Sequence, residues 1–261
     1  MPELPEVELY ARYFAAHALG QAIRRVRVRD PRILGATTPA RLRTALTGRR
    51  FERVLRHGKH LFADTGAVWL HLHFGMTGDL AVYRAARDEP RFSRLVIDFD
   101  GGDHLAYDDM RLFGVIDLSS SPDDYIRAHG LGPDALDPKY TLRAFKVRLA
   151  GRRGAIKALL MSQEIIAGIG NLYADEALFA SGVDPRRPAE RLSPAEAALL
   201  FRATRQILRN VIRRKAAGQT YPPRYLIPHR DEGGRCPRCG GEIRRTVVGG
   251  RTTFYCGRHQ K

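Results

Sequence analysis

The stretch Ser162-Gln163-Glu164-Ile165-Ile166-Ala167-Gly168-Ile169-Gly170-Asn171-Leu172-Tyr173-Ala174-Asp175-Glu176 decides the architecture of the C-terminal half of the chain. Gly168 and Gly170 turn the backbone into a helix that runs to about Ser181 and stops at Gly182. A helix entered through glycines exposes backbone N–H groups at the positive end of its dipole, and phosphate binds well there. The same pattern also serves as a plain helix–turn–helix connection. On the N-terminal side, Gly154 precedes a short helical run over residues 155–161. Before it, Thr141 caps a helix that includes Leu142, Phe145, Val147 and Leu149, and residues 133–138 read as a linker. On the C-terminal side, Ser193-Pro194-Ala195-Glu196 forms a capping box with proline at the first helical position. The helix it starts reaches about Ala217 and closes at Gly218. Leu199, Leu200, Ala203, Ile207, Val211 and Ile212 make its apolar face. Arg202, Arg205, Arg209 and Arg213 share a second face, which serves either as a solvated surface or as a DNA track.

Before Pro122 the period is that of strands. Residues 23–28, 50–55, 67–72, 95–99 and 104–107 alternate or run apolar, and turn residues separate them. Asp100-Gly101-Gly102-Asp103 is a hairpin signal, and residues 41–46 form a short helix between strands. Short strands with regular turns predict an antiparallel sandwich or barrel.

This sheet region is preceded by Met1-Pro2-Glu3-Leu4-Pro5-Glu6-Val7-Glu8. Leu4, Val7, Ala11 and Phe14 continue at helical spacing to Gly20, so proline and acids here suit an ordinary helix start. If Met1 is removed, Pro2 carries a secondary α-amine. A free α-amine titrates near pH ~7.7–8, so it is partly neutral and nucleophilic in the cell. Such an amine can form a Schiff base with a sugar carbon, and Glu3 stands beside it as a proton donor or acceptor. The two readings are compatible, because a helix that starts at the amine also holds it in place.

Three loops of this region carry residues of interest. His57-Gly58-Lys59-His60 puts a lysine beside glycine at a strand end, where it either reaches a phosphate or forms a solvated turn. His73-Phe74-Gly75-Met76-Thr77-Gly78 and Asp109-Met110-Arg111-Leu112-Phe113-Gly114 are turns with large apolar residues. Met on a turn ordinarily packs into a core. A base extruded from a duplex, however, leaves a gap that apolar wedges fill and an orphan partner that arginine can hydrogen-bond.

Cys236-Pro237-Arg238-Cys239 is followed by sixteen residues and then Cys256-Gly257-Arg258-His259. Two such pairs can hold one tetrahedral Zn²⁺, and with all four positions filled by protein the site is structural. Residues 242–248 and 251–255 read as strands around Gly249-Gly250, a ribbon too small to fold without its metal. All three cysteines of the chain lie in the last 26 residues, which argues for a metal site over a disulfide scaffold.

The chain has 261 residues, 44% of them hydrophobic, which fits a globular protein and excludes a disordered one. The 44 Lys and Arg outnumber the 28 Asp and Glu to give a net charge of +16, and such an excess points to a polyanion, most simply nucleic acid. Neither a secretory signal nor a membrane-spanning run is legible, so the expected location is cytoplasmic.

These motifs, spread from Pro2 to Lys261, resemble the formamidopyrimidine-DNA glycosylase / endonuclease VIII family of base-excision repair enzymes. The resemblance implies an α+β multidomain fold. It consists of an N-terminal antiparallel β-sandwich with its helix (1–122), a helical domain with a helix–two-turn–helix motif (133–228) and a C-terminal zinc-ribbon β-hairpin (229–261). It implies that Pro2 is the nucleophile, that Glu3 is the acid/base residue, that Glu6 supports the site and that Lys59 contacts phosphate near the lesion. Met76, Arg111 and Phe113 match the residues that fill the duplex. Asn171 and Arg251 match residues that touch DNA phosphates. Cys236, Cys239, Cys256 and His259 match a zinc finger that usually has four cysteines.

The implied activity is removal of damaged bases from duplex DNA, followed by strand cleavage through β- or β,δ-elimination. The implied partners are damaged or abasic double-stranded DNA and one structural Zn²⁺, the chain acting as a monomer with no membrane. Three departures bear on substrate. Met110 stands where proline is common, Leu112 stands where the formamidopyrimidine branch has arginine, and residues 219–235 are short for a segment that carries a purine-capping loop. An endonuclease VIII-like preference for oxidised pyrimidines or bulky bases therefore stays open. So do a non-catalytic binder of damaged DNA and a zinc-ribbon protein acting on RNA.

Overall fold

The computed structural model describes residues 2–261. The chain divides into two compact units, Met1–His129 and Gly130–Lys261. Unit one begins with helix α1 (Leu4–Ala18), followed by strand β1 (Ile23–Val28) and helix α2 (Pro39–Leu46). Strands β2 (Arg53–His57), β3 (His60–Asp64), β4 (Trp69–His73), β5 (Gly78–Tyr83), β6 (Ser93–Phe99), β7 (His104–Asp109) and β8 (Val115–Ser119) come next. Helix α3 (Pro122–Ala128) ends the unit.

The strands form two antiparallel four-stranded sheets, ordered β1-β6-β7-β5 and β2-β3-β4-β8. One core joins them: Val26, Leu80, Leu95, Ile97, Leu105 and Tyr107 from the first sheet cluster with Leu61, Ala63, Leu70, Leu72 and Ile116 from the second. Val7 and Phe14 of α1 and Leu42 and Leu46 of α2 complete that core. Alternation along a strand puts neighbouring side chains on opposite faces, so Phe62 and His71, paired across β3 and β4, face away from the core. There the Tyr125 ring of α3 lies 4.0 Å from His71 and 5.5 Å from Phe62, centroid to centroid. Helix α3 thus covers the second sheet and falls within unit one.

The strands differ from the sequence reading in their ends and in their number. Strand β2 starts at Arg53 rather than at residue 50: Arg50 and Phe51 make only isolated bridges to Ala22 and Leu19, and Phe51 is fully buried in the core, 4.9 Å from the Phe14 ring. Strands β3, β5 and β8 join the five that the sequence pattern marked.

Unit two contains α4 (Leu142–Leu149), α5 (Ile156–Met161), α6 (Asn171–Ser181), α7 (Pro194–Ala216) and the hairpin of β9 (Arg244–Val248) and β10 (Arg251–Tyr255). The Thr141 hydroxyl accepts the Ala144 N–H at 3.2 Å, and Ser193 and Glu196 make their reciprocal capping box. Helix α6 ends at Gly182 in the left-handed region (φ 72°), as its sequence anticipates. Helix α6 is buried almost all round and packs on α5, α7 and β10. Val147 and Leu199 occupy apolar helical positions yet are exposed, at 67% and 43%. Phe145 and Leu149 are the buried residues of the two-turn helix α4, and the buried row of α7 runs from Ala197 through Leu200 to Ile212, leaving Leu199 outside it.

Candidate functional site

In unit one, Pro2 and Glu3 precede the first helical residue and are buried. The Glu3 backbone N–H donates to Glu6 Oε2 at 2.9 Å, so Glu6 caps the first turn and fixes the path of the chain at Pro2. Helix α1 in turn grips the 73–78 turn. The Tyr10 hydroxyl donates to the Gly78 carbonyl at 3.3 Å, and its ring stands 4.5 Å from that of Phe74. Lys59 occupies the tip of the two-residue β2–β3 hairpin and is half-buried. Arg56 braces that hairpin, donating to Glu8 Oε2 of α1 at 3.0 Å and to the Gly58 carbonyl at 3.1 Å.

The structure brings the 73–78 and 109–114 turns together through a residue that the sequence pattern did not single out. Asp109 is fully buried. Its Oδ2 accepts the Gly114 N–H at 2.8 Å, and its Oδ1 accepts the Arg111 N–H at 3.2 Å and the Thr77 hydroxyl. Thr77 Oγ1 also accepts the Arg111 N–H at 3.1 Å, and the Tyr107 hydroxyl donates to the His73 carbonyl at 2.8 Å. The backbones touch: a Cβ on Gly75 (φ +53°) would fall 2.3 Å from the carbonyl carbon of Phe113, and one on Gly114 would fall 1.9 Å from the Tyr107 hydroxyl.

On this rigid base Met76, Met110 and Phe113 are exposed at 37%, 53% and 53%, an unusual clustering of large apolar side chains in water. The Arg111 guanidinium lies 4.7 Å above the Phe113 ring. Leu112 goes the other way. It adopts φ 55°, rare for a branched residue, and packs half-buried against the core. Its inward turn lets Arg111 and Phe113 project outward on either side of it.

Beneath the Lys59 hairpin lies a histidine stack. His60 and His71 share a hydrogen bond of 2.9 Å between Nδ1 and Nε2, and the His60 and His73 rings are 4.9 Å apart. Burial, followed by the like charge of neighbouring histidines, holds His60 well below its usual range and His71 down at about 3. Burial and then the Lys59 charge hold His73 at about 4. These rings are neutral at cellular pH.

In unit two, Gln163 staples the glycine turn. It accepts the Gly168 N–H at 3.0 Å and donates to the Ile169 and Met161 carbonyls at 2.8 and 2.7 Å. Gly168 needs its φ of 112° for that turn. Asn171 is the first residue of α6, and its side-chain oxygen is buried with no hydrogen-bond partner. Arg251 opens β10 and is exposed, directly after Gly249 and Gly250, both left-handed. Gly249 sits against α5, its Cβ position 3.1 Å from Ala158 Cβ.

The hairpin is locked to the helices by a buried ion pair. Lys157 and Asp175 side chains are both fully buried, 2.7 Å apart. Lys157 Nζ also donates to Thr253 Oγ1 at 2.6 Å, and Asp175 accepts Arg230 at 2.8 Å and the Phe254 N–H at 3.2 Å. Burial drives the Asp175 carboxyl up, and Lys157 and Arg230 pull it back. The 219–235 segment is held down rather than loose. Asn210 donates to the Tyr225 hydroxyl at 2.6 Å, and the Ile227 N–H donates to Glu176, whose carboxyl burial lifts to about 7.

Cys236, Cys239 and Cys256 converge, their sulfurs within 4.8 Å of one another. His259 is outside that group. Its Nε2 is hydrogen-bonded to the Phe179 carbonyl at 2.8 Å. An imidazole that donates through Nε2 keeps Nδ1 as its basic nitrogen, and a metal-bound histidine is commonly oriented by such a carbonyl. The three thiols and this ring fit a zinc ion by their chemistry.

Comparison with known proteins follows the same three segments. Residues 1–116 match the formamidopyrimidine-DNA glycosylase N-terminal domain, residues 131–222 its H2TH domain and residues 233–259 the zinc finger found in FPG and IleRS. A formamidopyrimidine-DNA glycosylase of Symbiobacterium thermophilum is 35% identical over 100% of this chain and 89% of its own. That of Laribacter hongkongensis is 36% identical over 98% of each. The chain belongs to the formamidopyrimidine-DNA glycosylase family.

Solved structures agree. The Lactococcus lactis glycosylase bound non-covalently to DNA containing an AP site superposes with TM-score 0.89 at 27% identity, covering 99% of both chains. The same protein with DNA containing FAPY-dG gives TM-score 0.90 at 28% identity. The expected α+β architecture, a sandwich with helical and zinc-finger parts, is that of the family. No helix among the described residues is long and apolar enough to cross a membrane.

Proposed function

We propose that this glycosylase-family chain removes oxidised or otherwise damaged bases from duplex DNA and then cuts the strand at the abasic site. The observation that carries the reading is the pair of turns locked by Asp109, which hold Met76, Arg111 and Phe113 in water with no core to fill. Holding apolar side chains exposed on a rigid base is costly unless they enter a stack, and an extruded nucleotide leaves that space. Arg111 is then placed to hydrogen-bond the unpaired partner base.

With Met1 removed, the Pro2 nitrogen bonds to C1′ of the damaged nucleotide, and the base leaves with the glycosidic electron pair and takes up a proton. Glu3 supplies or accepts the protons of this step, and Glu6 fixes the backbone at Glu3. The nitrogen gives up its proton, the C1′–O4′ bond opens with a proton to O4′, and the iminium forms; loss of a C2′ proton from it breaks the 3′ C–O bond, and a second elimination breaks the 5′ bond. Lys59, Asn171 and Arg251 hold phosphates and set the register. The place of Asn171 at the start of α6, directly after Gly170, where the backbone N–H groups of a helix N-terminus suit an anion, supports its part in that reading. One zinc held by Cys236, Cys239, Cys256 and His259 would fix the hairpin that presents Arg251. The working divisions are 1–122, 133–228 and 229–261, and the site of action is the cytoplasm, on chromosomal DNA.

Two observations keep the endonuclease VIII-like preference as a second reading. Leu112 packs inward and offers nothing to an opposite base, and the 219–235 segment is tied to α6 and α7. Single-turnover base release from duplexes carrying formamidopyrimidine, 8-oxoguanine or an oxidised pyrimidine tests both. Faster release of the purine lesions supports the first reading and faster release of pyrimidines the second. Release of none of them, with binding to abasic DNA retained, would leave a binder.

A further inference from the structure

Helix α7 has an outer face that the repair reaction leaves unused. Its inner face is the buried row from Ala197 to Ile212. On the opposite side a groove of about 510 Å³ is walled by Arg202, Arg205, Arg209 and Arg213, with Arg224 from the following loop, and no carboxylate lines it. Arg205 is spent on structure. It is half-buried and donates to the carbonyls of Ala135, Asp137 and Tyr140 at 2.9–3.2 Å, pinning the linker before α4. Burial lowers its pKa, and the charge of Arg209 adds to that. Asp134 and Asp137 are the acids that act against this. Arg202, Arg209, Arg213 and Arg224 are exposed and make no ion pair among the described residues; Arg213 donates only to Asn210, at 3.2 Å.

Four solvated guanidiniums beside a fifth repel one another. Some exposed arginines elsewhere pair with acids, as Arg53 does with Asp64 and Arg186 with Asp184, but among the described residues these four do not. Forked donors suit phosphate and carboxylate oxygens, and the length of this row favours the repeating phosphates of a nucleic acid. The rise of 1.5 Å per residue puts Arg202 and Arg213 about 16 Å apart along the axis, and one strand of B-form duplex presents about five phosphates over that length.

We propose that this groove is a second nucleic-acid site, taking the phosphate backbone of undamaged duplex while the lesion strand is held elsewhere. It rests on the proposed function only in that a lesion site exists to be occupied first. Such a site lets one molecule hold two DNA segments, or keep contact with a duplex between lesions.

The test has two arms. In the first, binding of an undamaged 30-base-pair duplex is followed by anisotropy against salt. Each phosphate contact removed lowers the slope of log K against log salt by about 0.9. A variant with Arg202→Ala, Arg209→Ala, Arg213→Ala and Arg224→Ala should therefore lose about three to four units of slope, and the matching four-lysine variant should keep most of it. This arm needs no catalysis and stands even if strand cleavage is absent. In the second, protein already trapped by borohydride on a short abasic duplex is offered a labelled undamaged duplex. Wild type should bind it one to one, the alanine variant should not, and both should trap the abasic duplex equally fast. An unchanged slope in the alanine variant would overturn the proposal. Equal binding of polyglutamate and duplex to the trapped protein at matched salt would do the same, by making the groove an acidic-peptide site.

Discussion

Acid should loosen the second sheet of unit one, and one ring should account for a measurable share. His71 lies on β4 with its ring 4.0 Å from Tyr125 and hydrogen-bonded to His60. Its folded pKa of about 3 and that of His73, about 4, lie below the free value of 6.5. Between those limits the unfolded chain binds more protons than the folded one. Stability is therefore complete above pH 6.5, falls as the pH drops through that value, and stops falling near the folded pKa values. From pH 7 to pH 5 each of the two histidines should remove about 2 kcal/mol. His60, also held low, adds in the same direction.

Replacing His71 with Phe keeps an aromatic ring in the stack but removes one titration. It costs about 1 kcal/mol at pH 7 for the lost hydrogen bond, and it should shrink the pH 7-to-5 loss by about 2 kcal/mol. Trp69 is the only tryptophan of the chain and lies on the same strand, so its fluorescence in urea reports on this sheet. If wild type and His71→Phe lose the same stability over that interval, the ring is not buried neutral and the reasoning fails.

Other expectations are more local. Lys157→Ala leaves Asp175 buried without its nearest cation and should cost the second unit about 3–5 kcal/mol, whereas Lys157→Met with Asp175→Leu should recover most of it; thermal melts followed by far-UV dichroism compare the two. Gly114→Ala drives a Cβ into the Tyr107 hydroxyl, so it should cost about 1–3 kcal/mol by overpacking and slow base release, read by urea unfolding and single-turnover kinetics. Phe113→Ala should leave the fold intact and slow base release by about tenfold or more, the loss of one desolvated wedge contact worth about 1.4 kcal/mol. Elemental analysis should find one zinc per chain, and His259→Ala should speed its release to a chelator, with loss of protection in the 233–259 segment by hydrogen exchange.

Local signals were legible in the sequence because local physics sets them. Thr141 and Ser193 cap their helices, Gly182 ends α6, and β1 spans the residues its pattern marks. The residues that bind these pieces into a site are distant in the chain and leave no period. Asp109 meets Thr77, 32 residues away, and Lys157 meets Thr253, 96 residues away. The histidine stack depends on β3–β4 register, which alternation within one strand does not reveal. Arg205 reads as part of an exposed stripe, but carbonyls of a linker that no helical wheel includes draw it inward. His259 has the spacing of a fourth ligand, while its ring position is set by the Phe179 carbonyl.

The proposed chemistry depends on which atom becomes bonded to the sugar. Abasic duplex treated with the protein and borohydride, then digested and sequenced by mass spectrometry, locates the adduct. The expected result is a deoxyribose remnant on the nitrogen of Pro2 in a chain that has lost Met1. A remnant on a lysine, or undiminished cleavage by protein whose N-terminus is acetylated, would contradict it.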